Sequence, residues 1–367
     1  MHIEEEFTHD DSFVKSIFRE CMALAEGCDY CYGYGLKENY NVDSDIALLG
    51  VVDAFDMFEF DGNKLPIDQN VQHLANRYPD TLFIVFHPYY SSKFFNPLRN
   101  VRFVFWTNSC AGIYNYSSVS PVLEKDVNEV GISLNRQMRE HRLFLASYLY
   151  GLGLDNDIKI SAVHLDSKKQ SDLMMYVPWD FSNYTECRDI AVNGYTQMYD
   201  DINKLHLPEP YKVLTGTISV PTIDTASNFN NKMRHLYRHS LVELITETLY
   251  DVEEGMLTEK YINSVYGCNF PILLSSKGTV QHLRDMGFDV FDDVVNHRYD
   301  NITSPVSRLE TAVQSNMHLF IDKKNTLKKW NACKDRFRKN VQFAKDEFLD
   351  YLKNRTLTEF KQVLNGN

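Results

Sequence analysis

The sequence predicts an α/β fold built from two parallel sheets, each covered by helices on both faces. Three observations lead there. Short apolar runs recur without the in–out alternation of a half-exposed strand, the mark of strands buried on both faces. Stretches of helical periodicity separate these runs, so that successive strands are joined by crossovers rather than hairpins. The chain has 367 residues, 44% hydrophobic and 13% aromatic, enough to fill two cores.

In the N-terminal half, 45–52 reads as a buried strand ending at Asp53, and 67–78 has helical periodicity up to Pro79. A second strand over 81–86 ends at His87-Pro88, and a third over 101–106 ends at Thr107. Residues 130–134 form a short strand. Arg136, Arg139, His141 and Arg142 crowd the turn and helix after it, and Gly151 and Gly153 stop that helix. Residues 158–162 read as a strand, and the rest of 155–230 as a polar, aromatic cover over the sheet. A strand over 240–246 then ends in Glu247, and a helix opens at Thr258-Glu259-Lys260 and closes near Gly267. A strand over 269–274, the turn Ser275-Ser276-Lys277-Gly278, a helix over 279–286 with Gly287 just past it, and a strand over 288–291 complete a doubly wound, Rossmann-like unit. From 318 to 364 the pattern is helical.

Ligands of such units sit at the carboxyl ends of the strands, where Glu247, Thr258, Glu259, Lys260 and Ser275 fall. A helix N-terminus exposes unpaired N–H groups. Together with Lys260 it suits a diphosphate, and Glu259 suits the hydroxyls of a ribose. The same residues also make an ordinary capped helix start. Arg136, Arg139 and Arg142 offer rigid donor forks to a pyrophosphate, or pair with neighbours such as Glu140 on a solvated face.

The order of these features resembles the donor half of the alpha-1,3-fucosyltransferases and exostosin-like glycosyltransferases. It is similar, more closely, to glycosyltransferase-like proteins of tailed phages. The residues that carry the likeness are Glu247 at a strand end, Thr258-Glu259-Lys260, Leu283-Arg284-Asp285-Met286-Gly287-Phe288, Tyr299-Asp300-Asn301-Ile302 with Arg308, and, upstream, Leu134-Asn135-Arg136 with His141-Arg142. They span about 131–310, roughly half of the chain. The resemblance implies a GT-B enzyme, with two Rossmann-like domains facing across a cleft. An acceptor domain over 1–128, a donor domain over 129–315 and a helical tail over 316–367 are expected, the tail crossing back to the first domain. The co-substrate is a nucleoside-diphosphate sugar, bound by Arg136, Arg139, Arg142, Glu247, Thr258, Glu259 and Lys260. An inverting enzyme of this kind needs a base on the first domain, for which Asp53 and His87 are the candidates. The alternative is a non-catalytic nucleotide- or carbohydrate-binding module of the same fold.

No cofactor or metal is expected. Asp43-Ser-Asp45 precedes its strand and Asp155-Asn-Asp157 sits in a turn, so neither is placed to hold a metal-bound diphosphate, and Arg and Lys would neutralise it instead. The seven cysteines are odd in number and scattered, and Cys28 and Cys31 lack a second ligand pair, which points to free thiols in a reducing compartment. His235 and His239 lie one helical turn apart without the glutamate of a zinc-protease helix, which favours surface or acceptor-site contacts. No run is apolar and long enough to span a membrane, and the N-terminus lacks the pattern of a signal peptide, so a cytoplasmic protein without membrane partners is expected. The segment 323–340 sets eight basic residues against Asp335, a local charge of +7 in a chain of formal net charge −12. It is either a charged outer helix face or a phosphate-backbone patch, with Lys328, Lys329, Arg336 and Arg338 at its centre. Double-stranded DNA, through a hydroxymethylated base, is therefore one candidate acceptor; a polysaccharide, a protein or a small molecule are the others.

Overall fold

The structure, a computed structural model, describes residues 30–34, 46–50, 75–87, 99–105, 116, 119–135, 140–162, 184–200, 229–247, 250 and 258–366, with 17, 19–21 and 23–25. The chain divides into two compact units, 1–114 with 347–367 and 115–346.

The first unit holds a parallel sheet of β1 (Tyr30–Tyr34), β2 (Ile46–Gly50), β3 (Leu82–His87) and β4 (Val101–Phe105), in that spatial order. The register runs from Ile46↔Leu82 to Gly50↔Phe86, and from Phe83↔Val101 to His87↔Phe105. Of the periodic stretch expected over 67–78, residues 75–78 are described, and 75–77 are helical. Ile17, Cys21 and Ala25 recur at every fourth position and meet Ile84, Phe86 and Val104 in the core. The last helix of the chain, Phe348–Leu364, closes that core with Phe360 and Val363. Phe360 stacks on Phe86 with ring centroids 5.6 Å apart. The same helix serves the outer strand: Glu359 Oε2 accepts from Phe105 N at 2.8 Å, and Thr356 Oγ1 donates to Phe105 O at 3.0 Å. Edge groups of β4 that would otherwise invite another strand are thereby satisfied.

The second unit holds β5 (Gly131–Asn135), β6 (Ile158–Ala162), β7 (Val242–Thr246) and β8 (Phe270–Leu274), all parallel, in the spatial order β6-β5-β7-β8. Helix α1 (Glu140–Gly151) joins β5 to β6, and α2 (Thr185–Asp200) packs on it. Their contact is backbone on backbone: a Cβ on Gly194 would lie 1.8 Å from Ser147 O, and one on Gly151 would lie 2.1 Å from Ile190 O. Within the expected polar cover, α2 is thus a regular helix with a buried face. Helix α3 (Arg234–Arg238) leads into β7, α4 (Glu259–Gly267) joins β7 to β8, and α5 (Thr279–Met286) follows β8.

The strand expected over 288–291 does not form. Phe288, Val290 and Phe291 are buried as its pattern suggests, but side chains capture its backbone. Asp289 Oδ1 accepts from Phe291 N at 2.9 Å, Asn340 bonds both N and O of Asp289, and Phe291 sits at φ 62°. A local turn has replaced the ladder. Toward the C-terminus the helices Pro305–Ser315, Met317–Ile321, Lys323–Ala332 and Lys334–Asp346, separated at Asn316, Asp322 and Cys333, belong to the second unit. Trp330, from the third of these, is buried and donates to Cys268 O at 2.6 Å. Among the described residues, Cys21, Cys187, Cys268 and Cys333 are free and buried, and no helix is long and apolar enough to cross a membrane.

Candidate functional site

The topology of the second sheet selects one edge. From β5 the chain moves outward to β6, then returns to the other flank of β5 for β7, so the crossovers part between β5 and β7. Such a switch point opens a crevice at the carboxyl ends of the two strands. The ladder there is short, covering only Gly131↔Val242 and Ile132↔Glu243. Toward their carboxyl ends the strands are linked by side chains instead, with Thr246 Oγ1 donating to Asn135 Oδ1 at 2.7 Å. Asn135 is itself fixed, since its N donates to Ser161 Oγ at 2.8 Å.

Glu247 follows β7 directly and is fully buried. Its carboxylate closes the loop to α4, accepting from Thr258 N at 3.1 Å and Thr258 Oγ1 at 2.6 Å. Burial raises its pKa, opposed by Lys260 and by the Thr258 bonds. Thr258 caps α4 in turn, its hydroxyl oxygen accepting from Lys260 N at 3.3 Å and Lys260 Nζ at 3.0 Å. Lys260 Nζ stands 3.2 Å from Glu259 Oε1 and 4.0 Å from Glu247 Oε2. Burial pushes the Glu259 carboxyl up, but the Lys260 charge and hydrogen bond outweigh it and hold Glu259 below its usual range. The Lys260 and Glu259 side chains remain 22% and 39% exposed, so a cation and an anion reach solvent on the first turn of α4. Of the four residues, Glu247 and Thr258 build the turn, and Glu259 and Lys260 can face a ligand.

The wall behind this turn comes from α1. The Glu247 carbonyl oxygen accepts from His141 Nε2 at 2.9 Å, which places the proton of a neutral ring on that nitrogen. Arg142 is 4% exposed and donates to Thr246 O at 3.2 Å and Glu247 O at 3.3 Å, so its guanidinium braces the end of β7. The Tyr250 ring stacks with the His141 ring at 5.4 Å and lies against the Arg308 guanidinium at 4.7 Å, and Arg308 also donates to Tyr250 O at 2.7 Å. The adjacent N-terminus, of α5, is occupied from within. Asp300 accepts from Val280 N and Gln281 N, both at 3.0 Å, which explains the Tyr-Asp pair read from the sequence.

Asp53, Arg136 and Arg139 lie outside the described residues. His87 is the last residue of β3, in the first unit, and ends that strand at its carboxyl side. Of the basic tail, Arg336 is tied to Asp289 at 2.6 Å and to Asp293 at 2.8 Å, and Arg338 pairs with Asp335. Lys328 is exposed and Lys329 half-buried. Sequence reading did not place Asn135, Thr246 or Tyr250 in the site. Asn135 stood in the motif beside Arg136, but nothing in the sequence pointed to its partner Thr246 across the switch point. Among the described residues no group of acidic, histidine and cysteine side chains is arranged to hold a metal ion.

Fold and site define an α/β protein with a parallel sheet whose crossovers part at a switch point between β5 and β7. Comparison of the chain with protein-family models, with curated proteins and with solved structures finds no match.

Proposed function

We propose that the second unit binds the diphosphate and ribose of a nucleoside-diphosphate sugar, and that the protein is a metal-independent glycosyltransferase moving the sugar to a hydroxyl. One observation carries this reading. Beside the switch point, Lys260 and Glu259 share the first turn of a helix whose start is clamped by buried Glu247. The ammonium and the helix N-terminus answer phosphate charge, which grows on the leaving diphosphate in the transition state, while Glu259 accepts from ribose hydroxyls. Arg136 and Arg139, which follow β5 in the sequence, are assigned to the same diphosphate, and Arg142 holds the β7 end in place. The resemblance to fucosyltransferase, exostosin-like and phage glycosyltransferase-like donor halves supports the same assignment. Two parallel sheets, one in each unit, suit a GT-B enzyme with its acceptor side on the first unit and Asp53 or His87 as base.

Calorimetric titration with UDP, GDP and ADP tests the binding step. Lys260→Ala should weaken the preferred diphosphate about tenfold or more, the loss expected of one charge-assisted hydrogen bond. Equal affinity in both proteins would remove Lys260 from the site. A panel of nucleotide sugars should then show slow hydrolysis of one donor. Tight binding without turnover on any acceptor would make the protein a binding module instead.

As acceptor, a hydroxymethylated base of duplex DNA is supported by the run 323–340. There, Lys324, Lys328, Lys329 and Lys339 form no ion pair among the described residues, whereas Arg336 and Arg338 are paired with aspartates. Affinity for duplex should fall steeply with salt and drop further in Lys328→Glu/Lys329→Glu. Absence of binding at low salt would turn the search to polysaccharide, protein or small-molecule acceptors.

A further inference from the structure

The second unit has a concavity at the amino ends of its strands, the edge opposite the switch point. Two lead-in segments form it, 121–124 on the way to β5 and 230–238 on the way to β7. Backbone hydrogen bonds hold them side by side: Asp126 N donates to Arg238 O at 2.9 Å, and Asn128 N to His239 O at 3.1 Å. Val122 N also donates to Tyr266 O at 2.9 Å, fixing the first segment against α4. The cavity between them measures ≈ 510 Å³, within the range of about 300–1,000 Å³ usual for small-molecule sites.

Its lining is chemically mixed. Val122 and its neighbours supply an apolar wall, and Glu124, Asn230, Arg234, His235 and Arg238 supply polar groups. Arg234 is braced, donating to Ser120 O at 2.5 Å and Pro121 O at 3.5 Å, so one cation is fixed at the cavity before any ligand arrives. The Arg238, His235, Asn230 and Glu124 side chains have no hydrogen bond or ion pair among the described residues. Asn230 is delivered by a π-helical turn, Phe229–Met233, a local distortion frequent at functional sites.

We propose that this cavity binds a phosphorylated monosaccharide, independently of the crevice at the carboxyl ends. Arg234 and Arg238 take the phosphate, for which guanidinium forks are suited. Asn230 and Glu124 take sugar hydroxyls, and the apolar wall packs on the ring. Two arginines against one carboxylate match a single phosphate better than a polyanion. Burial first, and then the neighbouring His239, lower the pKa of His235, so its ring is neutral at neutral pH. The charged groups around it are Glu124, Arg234 and Arg238, with Asp126 4.0 Å from His239.

Titration calorimetry with ribose 5-phosphate as probe, and uncharged ribose as control, tests the proposal. Saturable one-to-one binding of the phosphate ester alone is expected. Arg238→Ala should weaken it about tenfold, and Lys260→Ala should leave it unchanged. Should Arg238→Ala not fold, Asn230→Asp, which sets a second carboxylate in the cavity, is expected to give the same loss. No saturable binding, equal binding after these cavity substitutions, or loss of binding in Lys260→Ala would overturn it.

Discussion

Two glutamates on either side of one short loop have been given opposite tasks by their surroundings. Glu247 is sealed and spends both oxygens on Thr258, whereas Glu259 stays partly exposed against Lys260. Glu247→Gln leaves the Thr258 hydrogen bonds short of a charged acceptor and should cost about 1–3 kcal/mol of stability by denaturant unfolding. Glu259→Gln should leave stability nearly unchanged and weaken nucleoside diphosphate binding. A third carboxylate reports on pH. Glu243 is buried on β7, accepts from Tyr237 Oη at 3.0 Å, and is pushed up to about 8 by burial, against the hydrogen bonds and Lys125 charge that favour ionisation. Its folded pKa exceeds its unfolded one, so the folded state binds the extra proton. The stability it lends is full below about pH 4.5 and is lost as pH rises through about 8. Removing that dependence with Glu243→Gln should stabilise the protein relative to wild type between pH 5 and 7, by up to ~1.4 kcal/mol per pH unit. A gap that stays constant across that range would show that folding does not raise the Glu243 pKa.

At the scale of elements, helix starts and helix contacts decide what the sequence could reveal. The parallel strands were legible because runs such as Val-Glu-Leu-Ile-Thr and Phe-Pro-Ile-Leu-Leu are apolar and short, and turn residues bound them. Strand β1 was not, since Tyr-Cys-Tyr-Gly-Tyr carries a glycine and no aliphatic residue. Helix α2 was hidden for a related reason. Its Gly194 reads as a helix breaker, yet the close crossing of α1 requires it. Residues 288–291 misled in the other direction, because an apolar pattern cannot show that Asn340, far along the chain, will take its backbone bonds. In the site, the Thr-Glu-Lys helix start was readable from local sequence, while the Asn135–Thr246 link and the grip on Tyr250 depend on residues remote in sequence. Two substitutions test these contacts by chemical denaturation. Gly194→Ala should cost about 1–3 kcal/mol or more, since a backbone oxygen must move to admit the methyl group. Asp300→Ala strips the acceptor from two N–H groups of α5 and should cost about 1–2 kcal/mol, the usual worth of a side-chain cap.

Across the whole molecule, chain order and spatial order part company at residue 347. Helices from Pro305 to Asp346 complete the unit that contains the candidate crevice, and Phe348–Leu364 completes the other, so the first unit's core is finished only when the chain's last helix arrives. Phe360 is central to that core: fully buried, stacked on Phe86 and clustered with Ile84 and Val104. Truncating a buried phenylalanine to alanine costs about 3–5 kcal/mol, a large fraction of a typical domain's stability of about 5–15 kcal/mol. No residue of β5–β8 belongs to the Phe360 cluster, so the loss should stay within one unit. Hydrogen exchange of Phe360→Ala is expected to show faster exchange in β2, β3 and β4, with protection in β5, β7 and β8 retained. Lys260-dependent diphosphate binding should survive for the same reason. Equal loss of protection in both sheets would instead mean that the two units unfold as one, and that a substitution in the first destabilises the crevice in the second.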